Sequence, residues 1–177
     1  MAKSTPSMRF FPHEWGGTDE EADATREAYE RFTSSLGAGV GAKIHAFAWS
    51  QSLNDSYLDR LRVVTDKAEI ELSLISGDLQ VGYCLLKVSY KNAKLEDRSI
   101  AIKAMNFRSA EVRYDEFDLY KGETGAKFVH RLLLWPKPLK IIEISFDDFE
   151  IAKTPLDTRG YLTYDLIFEE VQSTNED

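Results

Sequence analysis

Glu69-Ile70-Glu71-Leu72-Ser73-Leu74-Ile75-Ser76-Gly77-Asp78, followed by Tyr83-Cys84-Leu85-Leu86-Lys87-Val88-Ser89-Tyr90, is the stretch that decides the fold. Ile70, Leu72 and Leu74 alternate with Glu69, Glu71 and Ser73, and Cys84, Leu86, Val88 and Tyr90 alternate with Tyr83, Leu85, Lys87 and Ser89. Period two with a Gly77-Asp78 turn between the runs spells two strands, each with one face buried. The pattern continues outward. Ile100 and Ile102 suggest a short strand, and Val112, Tyr114, Phe117 and Leu119 suggest one whose phase shifts at a bulge. Phe128 to Trp135 is apolar on both faces, as a central strand is. Ile142, Ile144 and Phe146 line another strand, and Leu162, Tyr164, Leu166 and Phe168 the last. The expectation is about eight strands from about residue 57 to 171, mainly antiparallel, in a sandwich or strongly curved sheet. No strand–helix–strand rhythm appears, which argues against a doubly wound nucleotide-binding fold.

Upstream the period is that of a helix. Thr18 followed by Glu21 is a capping box, and Asp19, Glu20 and Glu21 put negative charge at the positive end of the helix dipole. Ala22, Thr25, Tyr29, Phe32 and Leu36 form one stripe, so the spacing predicts an amphipathic helix over 18–36, stopped by Gly37. Gly37-Ala38-Gly39-Val40-Gly41 lacks the Gly-Lys-Ser/Thr ending of a phosphate loop and reads as a flexible connector into β-like sequence. Residues 1–14 read as a loosely held arm and 172–177 as a disordered tail. The organisation expected is one α+β domain over residues 15–171.

Composition narrows the function. Among 177 residues there are 22 Lys and Arg against 30 Asp and Glu, a net charge of −8 that argues against coating nucleic-acid phosphates. No window approaches the ~18 apolar residues of a membrane-spanning helix, and no secretory leader pattern opens the chain. Cys84 is the lone cysteine, which suits a reducing compartment, so a cytoplasmic location is expected. The three histidines, His13, His45 and His130, show neither the i, i+4 nor the His-x-His spacing of metal ligands, and no cofactor motif is present. Asp147-Asp148 with Glu150 and Asp115-Glu116 with Asp118 could hold a cation if loops joined them, but they read as solvated sheet faces. Acidity is concentrated in residues 18–31, with six acids against two arginines, and in residues 165–177, with five acids and no base. Such surfaces steer basic partners.

Three segments together resemble a set of uncharacterised bacterial β-rich proteins: Asn54-Asp55-Ser56-Tyr57-Leu58, then Tyr114-Asp115-Glu116-Phe117 with Phe128-Val129-His130-Arg131, then Glu143-Ile144-Ser145-Phe146-Asp147-Asp148-Phe149. The resemblance covers about residues 50–151; Asn54 stands where those proteins usually have His. It implies a small β-rich domain and brings a loose association with immunity proteins that neutralise toxins.

His130-Arg131 is the dipeptide with most chemical promise, because neighbours in a strand face opposite ways. If Val129, Leu133 and Trp135 face the core, Arg131 is inside and needs a carboxylate; if Phe128, Leu132 and Leu134 do, His130 is inside. Asp115 or Glu116 could reach Arg131 across a hairpin. Asp55 could act as a base paired with His130, although nothing in the spacing supports it. Two functions follow as expectations. The first is a non-enzymatic, immunity-like binding domain whose acidic surface meets a basic protein. The second is a small-molecule-binding domain or enzyme with a pocket near His130, Arg131, Asp115 and Trp135, where Arg131 holds an anion. A homodimer through an uncovered sheet edge is a third.

Overall fold

A computed structural model of the chain describes residues 7–11, 18–107, 110–122, 125–136, 141–160 and 165–169. His13, Leu162, Tyr164 and the expected tail at 172–177 lie outside the described residues. The order is α1 (Asp19–Ser34), α2 (Val40–Ser50), β1 (Ser56–Val64), β2 (Glu69–Asp78), β3 (Gly82–Lys91), β4 (Lys94–Leu95), α3 (Arg98–Asn106), β5 (Glu111–Gly122), β6 (Gly125–Trp135), β7 (Ile141–Phe146), β8 (Asp148–Leu156) and β9 (Asp165–Glu169). The α+β class with a mainly antiparallel sheet is as expected.

The strands form one open sheet ordered β4-β7-β6-β5-β1-β2-β3-β8, with β9 beside β1. It is not a sandwich. Among the described residues, all pairings are antiparallel except β1–β9, which is parallel. The curvature follows from one residue. β7 and β8 sit near opposite ends of the order, about 29 Å apart if the sheet were flat at the usual strand spacing. Asp147 alone separates them in the chain, so the sheet rolls far enough to bring the end of β7 to the start of β8 at one corner. Asp147 donates its N–H to the Lys91 carbonyl at 3.0 Å at that corner.

The deciding stretch pairs as its alternation demands. Ile70, Leu72 and Leu74 lie opposite Tyr90, Val88 and Leu86, and all six are buried. The turn falls at Leu79-Gln80-Val81, held by the Asp78 carboxylate accepting the Gln80 and Val81 N–H groups at 2.7 and 2.9 Å. The bulge expected in β5 is present between Val112 and Tyr114. Helix α1 forms with both halves of its capping box made, Thr18 and Glu21 each accepting the other's backbone N–H.

Two expectations fail. The segment after Gly39 is helix α2, not the start of β-like sequence, and it buries Gly41, Ile44 and Phe47 at three-residue spacing. Its glycines disguise it: Gly39, at φ 69°, serves as N-cap without a side chain, and Gly41 lies so close to the turn after α1 that a Cβ would strike the Leu36 carbonyl. Ile100 and Ile102 belong to helix α3, not a strand. Asp97 caps it by accepting the Ser99 N–H at 2.8 Å, and Ile100, Ala101, Ala104 and Met105 are buried at helical spacing. Ile102 points out.

Helix α2 fills the hollow of the rolled sheet. Phe47 meets Phe117 of β5 and Phe149 of β8 edge-on, with centroids 5.6 and 6.0 Å away, so it bridges the sheet's two sides. Phe117 and Phe149 continue into a ring cluster with Phe146 and Tyr90, all buried.

Candidate functional site

β6 runs between β5 and β7, with His130 opposite Phe117 and Arg131 opposite Glu116 and Glu143. The alternation of β6 therefore sets two sites back to back.

On the inner face, His130 is fully buried beside Leu132 and Leu134. Its ring stacks on Phe117 with centroids 4.1 Å apart and planes 10° from parallel. Nδ1 lies 2.6 Å from the Tyr90 hydroxyl, and Nε2 lies 3.1 Å from the Asp115 carboxylate. An ionised carboxylate only accepts, so it takes Nε2–H; in that tautomer of the imidazole, Nδ1 accepts the Tyr90 O–H. Burial, helped by the Asp115 charge, pushes the Tyr90 phenol well above its ordinary value and holds it neutral. Tyr29, on α1, is pushed up by burial and then by Asp115, and its hydroxyl accepts the Phe117 N–H at 2.8 Å. That N–H points away from β6, because past Tyr57 the strand β1 pairs with β9 and leaves this edge of β5 to the helix.

On the outer face, the Arg131 guanidinium meets three carboxylates: Glu143 at 2.5 Å, Asp118 at 2.9 Å and Glu116 at 3.3 Å. Burial would weaken the charge on Arg131, but the hydrogen bonds it donates to Asp118 and Glu143 outweigh it and hold the guanidinium charged. Burial likewise pushes the Asp118 carboxyl up, and hydrogen bonds from Arg131, the Leu119 N–H and Arg9 overcome it, leaving Asp118 below its ordinary range. Glu116 is fully buried and also accepts backbone N–H groups from Arg9 and Phe10, at 2.6 and 2.7 Å.

Of the sequence-derived residues, His130 and Asp115 meet, while Arg131 lies across the strand from them. Asp115 reaches His130 rather than Arg131, and Glu116 takes Arg131 instead. Arg131 directs Nε and Nη1 to three carboxylates, so the geometry does not favour it as an anion holder. Trp135 is half exposed at the far end of β6, lining a cleft of about 300 Å³ with Asp55, Glu111, Val112 and Arg113. Asp55 belongs to that cleft, its carboxylate 3.9 Å from Arg113, and does not partner His130. Desolvation and then the Asp55 charge push the Glu111 carboxyl up, against Arg113. Among the described residues, no three His, Cys, Asp or Glu side chains converge as a metal-ligand set. Nor is any helix among them long and apolar enough to cross a membrane.

Sequence reasoning missed Tyr90, Tyr29 and Glu143 as partners. A signal existed for Tyr90: its place on the inward side of the β3 alternation puts a phenol in the core, where its hydroxyl needs an acceptor. Comparison with protein-family models finds no match, and comparison with curated proteins finds none either.

Proposed function

We propose that this protein is a non-enzymatic binding domain whose acidic surface meets a basic protein partner. The observation that carries the reading is α1, which turns Tyr29 and Thr33 inward and displays Asp19, Glu20, Asp23, Glu27 and Glu30 to solvent. Arg26 and Arg31 pair with Asp23 and Glu27 on the same helix, at 2.8 and 3.5 Å, and leave the face acidic. Supporting it, the groups best suited to chemistry are committed to one another. Both His130 nitrogens are engaged in the core, and the hollow a substrate would need is filled by aromatic rings. The loose association of the resembling β-rich proteins with immunity proteins suggests the narrower form, neutralisation of a basic toxin.

Native mass spectrometry on protein purified gently from its own cells tests this. The expected result is one basic protein at fixed stoichiometry, lost or slowed in association when Glu20, Asp23 and Glu27 are changed to Lys. A partner-free protein with turnover on a small substrate would overturn it. A homodimer alone would shift attention to β8, the exposed terminal strand of the sheet.

A second reading has the Trp135 cleft in its favour: an open indole beside two carboxylates and an arginine suits a small polar ligand. Thermal stabilisation across a metabolite panel, lost in Trp135→Ala, would support it.

A further inference from the structure

Residues 1–14 were expected to be loosely held. Of these, residues 7–11 are described, and Arg9, Phe10 and Phe11 sit in a shaped slot on the outer face of β5. The buried Glu116 carboxylate accepts three successive backbone N–H groups, from Arg9 at 2.6 Å, Phe10 at 2.7 Å and Phe11 at 3.3 Å. Phe10 lies 5.1 Å from the Tyr29 ring and 5.3 Å from the Phe32 ring. Phe11 contacts Tyr29 and stacks on Tyr114, at 5.2 and 6.0 Å. The Arg9 guanidinium lies 4.7 Å from the Phe32 centroid and bonds Asp118 at 2.8 Å.

Each contact states a requirement of the slot. A fully buried carboxylate needs donors, and without the segment Glu116 would lose three of them. Glu116, Asp118 and Glu143 carry three negative charges against one on Arg131, so the slot needs a further cation. Tyr29, Phe32 and Tyr114 supply aromatic walls for two rings. An occupant therefore brings three consecutive N–H groups outside regular structure, one guanidinium or ammonium, and two aromatic side chains.

The segment meets those terms but is only part-buried, with Arg9 exposed and both rings half-buried. A stretch held by a few hydrogen bonds, one ion pair and half-covered rings opens locally at low cost. The slot also abuts the acidic helix, since Tyr29 and Phe32 belong to α1. An incoming chain with additional basic residues gains attraction there beyond what residues 9–11 use.

We infer that this slot is the docking site for a basic–aromatic–aromatic segment of a partner protein, which displaces residues 9–11 of the chain itself. The inference rests on the protein-binding reading and names the partner's recognised element. Tethering presents residues 9–11 at an effective concentration on the order of millimolar. A separate segment competes once it binds tightly enough to overcome that advantage.

The test uses a fluorescein-labelled, end-blocked peptide of residues 7–11, read by fluorescence polarisation against the full chain. A second full-length protein, Phe10→Ser/Phe11→Ser, releases its own segment; near-ultraviolet circular dichroism checks its fold. The peptide should bind the released variant at least tenfold more tightly than the wild type. A peptide with Arg9→Glu should fail, and Asp118→Asn in the released background should weaken binding. If the released variant does not fold, millimolar peptide on the wild type should shift the Tyr29 and Tyr114 ring resonances. Absence of binding to a folded, released variant would overturn the inference. So would dimers with exchanged segments by light scattering, which would make a second copy the occupant. A basic partner found by mass spectrometry that still binds Glu116→Gln/Asp118→Asn protein would sink the slot and leave the binding function standing. Peptide binding without any cellular partner would do the reverse.

Discussion

Tyr90→Phe removes one oxygen from the core and isolates one hydrogen bond. The Tyr90 hydroxyl and His130 Nδ1 are 2.6 Å apart, both residues are fully buried, and the other ring nitrogen is committed to Asp115. With the hydroxyl gone, Nδ1 keeps its lone pair where water does not reach, and an unsatisfied buried acceptor costs about 1–3 kcal/mol. For a chain of this size that lowers the melting midpoint by roughly 2–12 °C. His130→Phe should cost a similar amount, because the new ring can still stack on Phe117 while the Tyr90 hydroxyl loses its acceptor. The double variant is the informative one. Both ends of the bond become apolar, Asp115 retains 16% exposure for hydration, and the pair should cost less than the sum of the singles by about 1–2 kcal/mol. Urea unfolding monitored by circular dichroism supplies all four corners of the cycle. Strict additivity, or a Tyr90→Phe variant within about 0.5 kcal/mol of wild type, would refute the reasoning. If the double variant also keeps its partner, the cluster serves the fold and not the function.

Four further outcomes are expected. Phe47→Ala should cost about 3–5 kcal/mol by urea unfolding, since it removes the ring that joins β5 to β8; a loss under 1 kcal/mol would place α2 outside the core. Gly41→Ala should destabilise although alanine favours a helix by about 1 kcal/mol, because its Cβ would meet the Leu36 carbonyl; a rise in melting midpoint would contradict the α1–α2 packing. Asp118 titrates below its ordinary 3.8 in the folded state, so its contribution is complete well above that ordinary value and is lost as pH falls from there through the folded value. Asp118→Asn should therefore flatten the acid limb of a stability profile between pH 5 and 2, and an unchanged limb would discount the Arg131 and Arg9 contacts. Leu79→Ser/Val81→Ser should leave the unfolding free energy within about 0.5 kcal/mol, because these hairpin-tip side chains are 91% and 80% exposed; a larger loss would show that the tip is covered.

Local rules carried much of the architecture. Helix α1 was legible because its cap, its charged first turn and its stripe all agree, and each depends on residues at most four apart. The β2–β3 pair was legible because a strand with one buried face prints its burial directly as alternation. Helices α2 and α3 were not, for opposite reasons. Gly39 and Gly41 look like connector, yet one caps the helix and the other makes room for the Leu36 turn that leads into it. The two isoleucines of α3 stand two apart, as in a strand, while only Ile100 is buried.

The candidate site divides along the same line. That His130 and Arg131 face opposite ways follows from the pleat of any strand, so the sequence alone determined that one would be inside and the other outside. It determined too that the inside one would need polar partners and that α1 would show an acidic face; Asp115, Glu116 and Asp118, however, read as a solvated face, whereas Glu116 is fully buried against Arg131. Which of the two is buried was decided only when β6 took its place between β5 and β7. So was the identity of the partners, because Tyr90 lies 40 residues from His130, and Glu116 lies 107 from Arg9. The capture of residues 9–11 was likewise tertiary. A short polar and aromatic segment has no periodicity to announce it; it is ordered by a buried carboxylate whose need for donors exists only after the sheet has rolled.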